Sequence, residues 1–272
     1  MNAIDEAANF FLKFGQVSFI VPIIVLGILF GKREDVEKAA CFLAFAIIFN
    51  NLLKNIFHIP LPPHIAAASP FGARYAFPSG HTHMEVIFYG YFLYKAKDYK
   101  VKAALAALLI CCASSMVHFG FHEWSAIFAG AACAIIEIAA YILVEKKFGE
   151  KIAALFAISF TLIIICLLYV FYEIDWNTWV GIYFFAGVLA GMKFFKNIVP
   201  KRWTQKILAL FFVTALMKAV YWLSATLGLD ANRLGCVLRL KYFFFPISLY
   251  VAMFLGIKTS EFFAQNKKAP DK

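Results

Sequence analysis

Nine apolar stretches recur along this chain, most of them about as long as a membrane-crossing helix, and they leave little room for another architecture. Their cores run approximately over residues 17–31, 39–57, 81–94, 101–117, 124–144, 152–172, 176–195, 205–227 and 240–257. A helix needs about 20 apolar residues to cross the hydrocarbon region, so the segments predict an all-α, polytopic transmembrane bundle of about nine spans. Strands of a membrane barrel would be shorter and would alternate apolar with polar residues, which these do not. Composition agrees: 63% of the 272 residues are hydrophobic, 32 are Phe and only 15% are charged, so lipid is the expected solvent for most of the surface. Met1 to Gln16 carries Asp5 and Glu6 and lacks the basic start and small-residue cleavage site of a signal peptide, so the first apolar segment reads as a retained span.

A formal net charge of +10 would suggest nucleic acid in a soluble protein. Here the basic residues fall in short clusters at alternate connections. Lys32, Arg33 and Lys38 follow the first span, and Lys95, Lys97, Lys100 and Lys102 the third. Lys146, Lys147 and Lys151 follow the fifth, and Lys193, Lys196, Lys201, Arg202 and Lys206 the seventh. Lys258, Lys267, Lys268 and Lys272 follow the ninth. Nineteen of the 26 basic residues thus lie on one side, which the positive-inside rule makes cytoplasmic. The expected topology has the N-terminus outside and the C-terminus cytoplasmic, with anionic lipid rather than nucleic acid as the partner of these charges. Nothing in the sequence names a protein partner. Short loops favour a bacterial inner membrane, with the outer connections on its periplasmic face.

Six cysteines (Cys41, Cys111, Cys112, Cys133, Cys166 and Cys236) show no paired CxxC spacing and are expected to be small apolar residues inside spans. Glu137 in the fifth span and Lys218 in the eighth are expensive in lipid, so both are expected to face the bundle interior. The longest irregular stretch, from Pro60 to Phe77, contains Arg74 and four prolines that forbid a regular helix.

All six histidines lie between positions 58 and 122: His58, His64, His81, His83, His118 and His122. Such confinement points to a site on the non-cytoplasmic face. Pro78-Ser79-Gly80-His81 sits where a polar loop enters an apolar helix, and Gly80 lets backbone approach an anion at a helix N-terminus. A different reading starts from helical spacing. His81 and Glu85 are four residues apart, as are His118 and His122, so these four side chains are an alternative metal-ligand set.

These motifs resemble the type 2 phosphatidic acid phosphatase (PAP2) superfamily. Its blocks are Lys-x6-Arg-Pro, Pro-Ser-Gly-His and Ser-Arg-x5-His-x3-Asp. They align with Lys54, Leu61 and Pro62; with Pro78, Ser79, Gly80 and His81; and with Ser115, Met116, His122 and Ala126. The resemblance covers roughly residues 20–170, and the nine-span topology is similar to that of the glucose-6-phosphatase branch. It implies a PAP2-like six-helix core over residues 1–172, three additional spans over 173–260 and a mobile polar tail over 261–272.

By the same resemblance His122 is the nucleophile that becomes phosphohistidine, and His81 is the acid for the leaving oxygen. Lys54, Ser79, Gly80 and Ser115 hold the phosphate oxygens. No cofactor is needed for that chemistry. The substrate class it implies is a lipid or prenyl phosphate, undergoing hydrolysis or headgroup transfer.

Three positions depart from the pattern. Leu61 and Met116 replace both arginines, and Ala126 replaces the aspartate that orients the nucleophile. Phosphoryl transfer depends on cations around the equatorial oxygens, so the departures bear directly on activity. Arg74, Arg233, Arg239 or Lys241 are candidates for the missing charge, and Glu123, Glu85 or Glu137 for the missing carboxylate. Three readings stay open: an active PAP2-like enzyme, a catalytically inactive lipid-binding or regulatory relative, and a metal-dependent membrane enzyme.

Overall fold

The structure, a computed structural model, describes residues 2–61, 74–172, 174–226 and 240–266. Pro62, His64, Arg233, Cys236 and Arg239 lie outside the described residues. Among those described, the chain is helical: α1 (Ala3–Leu12), a 3₁₀ turn (Lys13–Gly15), α2 (Val17–Phe30), α3 (Arg33–Phe57), α4 (Gly80–Lys95), α5 (Tyr99–His118), α6 (Trp124–Phe148), α7 (Glu150–Phe171), α8 (Trp176–Phe194), α9 (Trp203–Thr226) and α10 (Leu240–Asn266).

Each of the nine apolar segments coincides with one helix from α2 to α10, and α1 is an addition the hydropathy pattern did not mark. Among the described residues, six helices are long and apolar enough to cross a membrane: α3, α5, α6, α7, α9 and α10. A seventh crossing results if α1 and its 3₁₀ turn, bent by 55° against α2, count as one broken span. The expected nine crossings are therefore not all matched: α2 and α4 have only 14 and 16 residues, and α8, with 19, is not apolar enough along its length.

Exposure shows what solvent these helices suit. On α7, Ile152, Leu155, Phe156, Leu162, Ile163, Tyr169, Val170 and Phe171 all point outward. Water would not tolerate so continuous an apolar surface, whereas hydrocarbon does. The chain is an integral-membrane protein.

The chain divides into two compact units, Met1–Pro22 with Phe42–Ile182 and Ile23–Cys41 with Tyr183–Lys272. This differs from the expected division after residue 172. Ile174 and Ile182 pack on the first unit's core of Ile48, Leu52, Ile164 and Leu168. In the second unit Arg33 donates to the Glu37 carboxylate at 2.7 Å and to the Ile198 carbonyl at 2.8 Å. The Tyr250 hydroxyl donates to the same Glu37 oxygen at 2.9 Å, so the start of α3 is bound to the end of α8 and to α10. The polar tail also begins later than expected, since residues 261–266 belong to α10. Lys218 corrects another expectation: its side chain is exposed on α9 rather than turned inward.

Helix ends follow local chemistry. Ser79 caps α4 by accepting the Thr82 N–H. At the end of α5, Gly120 has φ +68°, its N–H bonds the Val117 carbonyl, and the Phe121 N–H bonds the Met116 carbonyl. This is the paired closure of a Schellman turn, which needs a residue without Cβ at its left-handed position. The chain leaves α5 there and carries His122 across to α6. Alongside, α1 and its 3₁₀ turn dock on α4 and α5: the Tyr89 hydroxyl donates to the Phe14 carbonyl, and the Cys112 thiol to the Phe11 carbonyl.

Candidate functional site

Three helix ends of the first unit come together at one site, called the recess below: the last turn of α3 with Lys54, the first turn of α4 with His81, and the α5–α6 connection with His122. The two imidazole rings face each other with centroids 6.4 Å apart and planes tilted by 55°. Lys54 acts electrostatically on both rings, and its ammonium is 3.8 Å from where a Cβ on Gly80 would stand. The His81 side chain is exposed.

The Pro78–His81 turn is held from both sides. The Ser79 N–H donates to the Ala126 carbonyl at 3.0 Å. Gly130, one turn further along α6, lies so close that a Cβ there would stand 2.6 Å from the Ser79 carbonyl oxygen. Ala126, aligned with the family aspartate, thus serves the turn through its backbone. Ser79 itself is fully buried; its hydroxyl accepts the Thr82 N–H at 3.4 Å and lies 3.0 Å from the Thr82 hydroxyl. Met116, aligned with a family arginine, places its sulfur 3.6 Å from the Thr82 Oγ1 and 4.0 Å from the Ser79 Oγ. An apolar thioether therefore fills the volume beside the hydroxyls where the resemblance expects a guanidinium.

Burial, reinforced by neighbouring His81 and Lys54, pushes the His122 imidazole down to about 3, and the nearby Ala76 carbonyl works in the opposite direction. His122 is thus a neutral imidazole at any ordinary pH, and its buried Nδ1 has no hydrogen-bond partner. Ala76 is fixed by a short antiparallel pairing in which its N–H donates to the Ile59 carbonyl and the Leu61 N–H to the Arg74 carbonyl.

The other expected participants scatter. Ser115 is buried, but its hydroxyl donates to the Cys111 carbonyl of its own helix at 2.7 Å. The Arg74 side chain is exposed. His118 pairs with Asp5 of α1 at 2.9 Å, and Glu85 packs against Gly15. The alternative set His81, Glu85, His118 and His122 is thereby divided, because the Schellman turn breaks the helical spacing on which its second pair depended. Among the described residues no three His, Cys, Asp or Glu side chains lie close enough to hold a metal ion. Of the carboxylates considered for orienting His122, Glu137 faces His83, Glu85 faces the 3₁₀ turn and Glu123 is exposed at the start of α6.

Two contributors were missed by the sequence reading. Asp175 accepts the Thr178 N–H at 2.7 Å and exerts its charge on Lys54. Asn50, buried one turn before Lys54, turns its amide toward Pro78 and Gly80. Only its position four residues before Lys54, on the same helix face, could have indicated it.

Fold and site together define a polytopic helical membrane protein with a polar, histidine-lined recess at one end of its first unit. Residues 38–150 match the model of the PAP2 superfamily. No curated protein and no solved structure shows significant similarity to the chain.

Proposed function

We propose that this protein is a membrane phosphatase of the PAP2 type, which hydrolyses a lipid or prenyl phosphate at the non-cytoplasmic face. The observation that carries the reading is the convergence of His81, His122 and Lys54 at the N-terminus of α4, within the segment matched by the family. A phosphate seated there meets the positive end of the α4 dipole and the Lys54 ammonium.

The uncharged His122 ring presents a nitrogen lone pair to phosphorus, forming an N–P bond as the ester P–O bond breaks. Its electron pair leaves on the alcohol oxygen, which takes its proton from His81. Water then attacks the phosphohistidine, gives a proton back to His81 and releases inorganic phosphate. A lipid or prenyl chain fits a protein whose outer surface is apolar, because such a substrate reaches the recess from within the bilayer.

Met116 favours a second reading, an inactive relative that binds lipid without cleaving it, since it removes a guanidinium from beside Ser79. Phosphate release from a panel of lipid and prenyl phosphates, measured on detergent-purified protein with and without chelator, separates the two. Turnover that resists chelator and disappears in both His122→Ala and His81→Ala supports the phosphatase. Absence of turnover on every substrate refutes it and leaves the binding protein. Turnover abolished by chelator refutes both in favour of metal chemistry.

A further inference from the structure

Below the recess, His83 is completely buried between α3 and α6. Its Nε2 stands 2.8 Å from the Glu137 Oε1, a close electrostatic contact whose angle falls outside hydrogen-bond range. Its Nδ1 stands 3.4 Å from the Asn50 Nδ2. That amide also donates to the Pro78 carbonyl at 3.5 Å, while the Asn50 Oδ1 would lie 3.0 Å from a Cβ on Gly80. Neither oxygen of Glu137 has an aligned hydrogen-bond donor.

A carboxylate and an imidazole inside a membrane bundle carry a desolvation penalty that apolar side chains of equal volume avoid. His83 has no access to the recess, and none of the three takes part in the bond making described above. Their connections run elsewhere. Asn50 and Lys54 share a face of α3; His83 and His81 belong to the first turn of α4; Glu137 belongs to α6, whose Ala126 carbonyl holds Ser79. The three side chains therefore cross-link the same three helices that carry the recess.

We propose that Glu137, His83 and Asn50 form a buried positioning relay that fixes the Pro78–His81 turn relative to Lys54. The inference rests on the phosphatase reading for what the turn binds, although the relay itself is a statement about proton placement and geometry. An amide nitrogen only donates, so Asn50 makes the His83 Nδ1 an acceptor and confines the ring proton to Nε2, facing Glu137. The Glu137 carboxylate, 2.8 Å from Nε2, favours the same tautomer electrostatically, the one in which a single amide binds both His83 and Pro78. Replacing it frees the imidazole to reverse its tautomer, present Nδ1–H to the amide and push Asn50 away from the turn. Lys54 and His81 then lose their fixed spacing.

The test uses full-length, detergent-purified protein labelled with ¹⁵N-histidine, with inorganic phosphate as the probe. In the unsubstituted protein the His83 signals should show one neutral tautomer protonated at Nε2. Glu137→Gln, which keeps shape, and Asn50→Ala should each melt as cooperative folded proteins. Both should shift or broaden the His81 signals and raise by about tenfold or more the phosphate concentration that perturbs them. A His83 protonated at Nδ1 in the parent protein overturns the relay. So do His81 signals unmoved in both variants. If the parent protein cleaves no ester and its His81 signals ignore phosphate, the phosphatase reading fails, whereas the tautomer of His83 and its effect on His81 still decide the relay.

Discussion

Gly130→Ala tests whether the recess depends on α6 pressing against the Pro78–His81 turn. The new Cβ would lie 2.6 Å from the Ser79 carbonyl oxygen and 3.3 Å from the His83 backbone nitrogen, both of them main-chain atoms that no rotamer change can remove. Ordinary contact requires α6 and the turn to part by about 0.5–1 Å. Overpacking of this kind destabilises by ~1–3 kcal/mol, against ~1 kcal/mol gained from replacing a helical glycine, so melting should fall by a few degrees at most. Function should suffer far more. A displacement approaching 1 Å at His81 can lower turnover by about a hundredfold, because the proton donor leaves its line with the ester oxygen. Gly90→Ala is the control: its Cβ would meet only the Ile138 and Val86 side chains, at 3.6 and 3.7 Å. That variant should gain up to ~1 kcal/mol and keep full activity. Phosphate release and thermal melting on the two proteins give the answer. Undiminished turnover in Gly130→Ala, with melting equal to Gly90→Ala, would refute the close coupling of α6 to the turn.

His122, held down at about 3, should show no imidazole titration by ¹⁵N NMR between pH 8 and pH 4, and a midpoint near 6.5 would contradict its burial as a neutral ring. The sign for stability follows: the unfolded chain takes up this proton below about 6.5, so His122 progressively weakens the fold from there down to about pH 3, and the melting temperature should fall with acidification. Met116→Arg puts a guanidinium beside Ser79 and Thr82 without a counter-ion; it should destabilise by about 3 kcal/mol and gain a larger phosphate-induced rise in melting temperature than the parent protein. An equal rise in both would show that this position does not face the anion. Arg33→Ala removes the partner of Glu37 and of the Ile198 carbonyl, and should lower stability by roughly 3 kcal/mol, read by melting in detergent. Asp5→Ala, by contrast, breaks a largely exposed pair with His118 and one arm of the α1 capping box, and should lower the melting temperature only slightly.

The helices were readable because hydropathy averaged over about 20 residues is insensitive to single positions, so α2 to α10 all fall on apolar segments. Facing is a different matter. Nothing in the sequence distinguishes Glu137, turned inward toward His83, from Lys218, exposed on α9; each is one charge in an apolar run, and only the neighbouring helices decide which way it points. The short α1 escaped notice since its Asp5, Glu6 and Asn9 interrupt the apolar pattern. Within the site, His81 was singled out by the Pro-Ser-Gly-His block at a helix start and His122 by the family resemblance, and the two rings lie 6.4 Å apart. The spacing of His118 and His122 misled, although the cause was visible: Gly120 between them takes the left-handed conformation that ends a helix, so i and i+4 no longer share a face.

His81 and His83 show the limit most plainly. Two residues apart on a helix, they point to nearly opposite sides, one into the recess and one into the bundle. Which is which depends on Asn50 and Glu137, residues 31 positions before and 56 after His81. The motif announces an anion-binding turn, but the groups that hold it still come from helices whose relative rotation no local pattern encodes. Leu61, Met116 and Ala126 stand where the sequence resemblance expects two arginines and an aspartate, and polar contacts to the turn come from the Ala126 carbonyl and the Asn50 amide. On the phosphatase reading, activity depends on the positive potential that Lys54 and the α4 N-terminus supply at the turn. That depends on how rigidly the turn is held, because a fixed dipole stabilises developing charge whereas a mobile one must first reorganise.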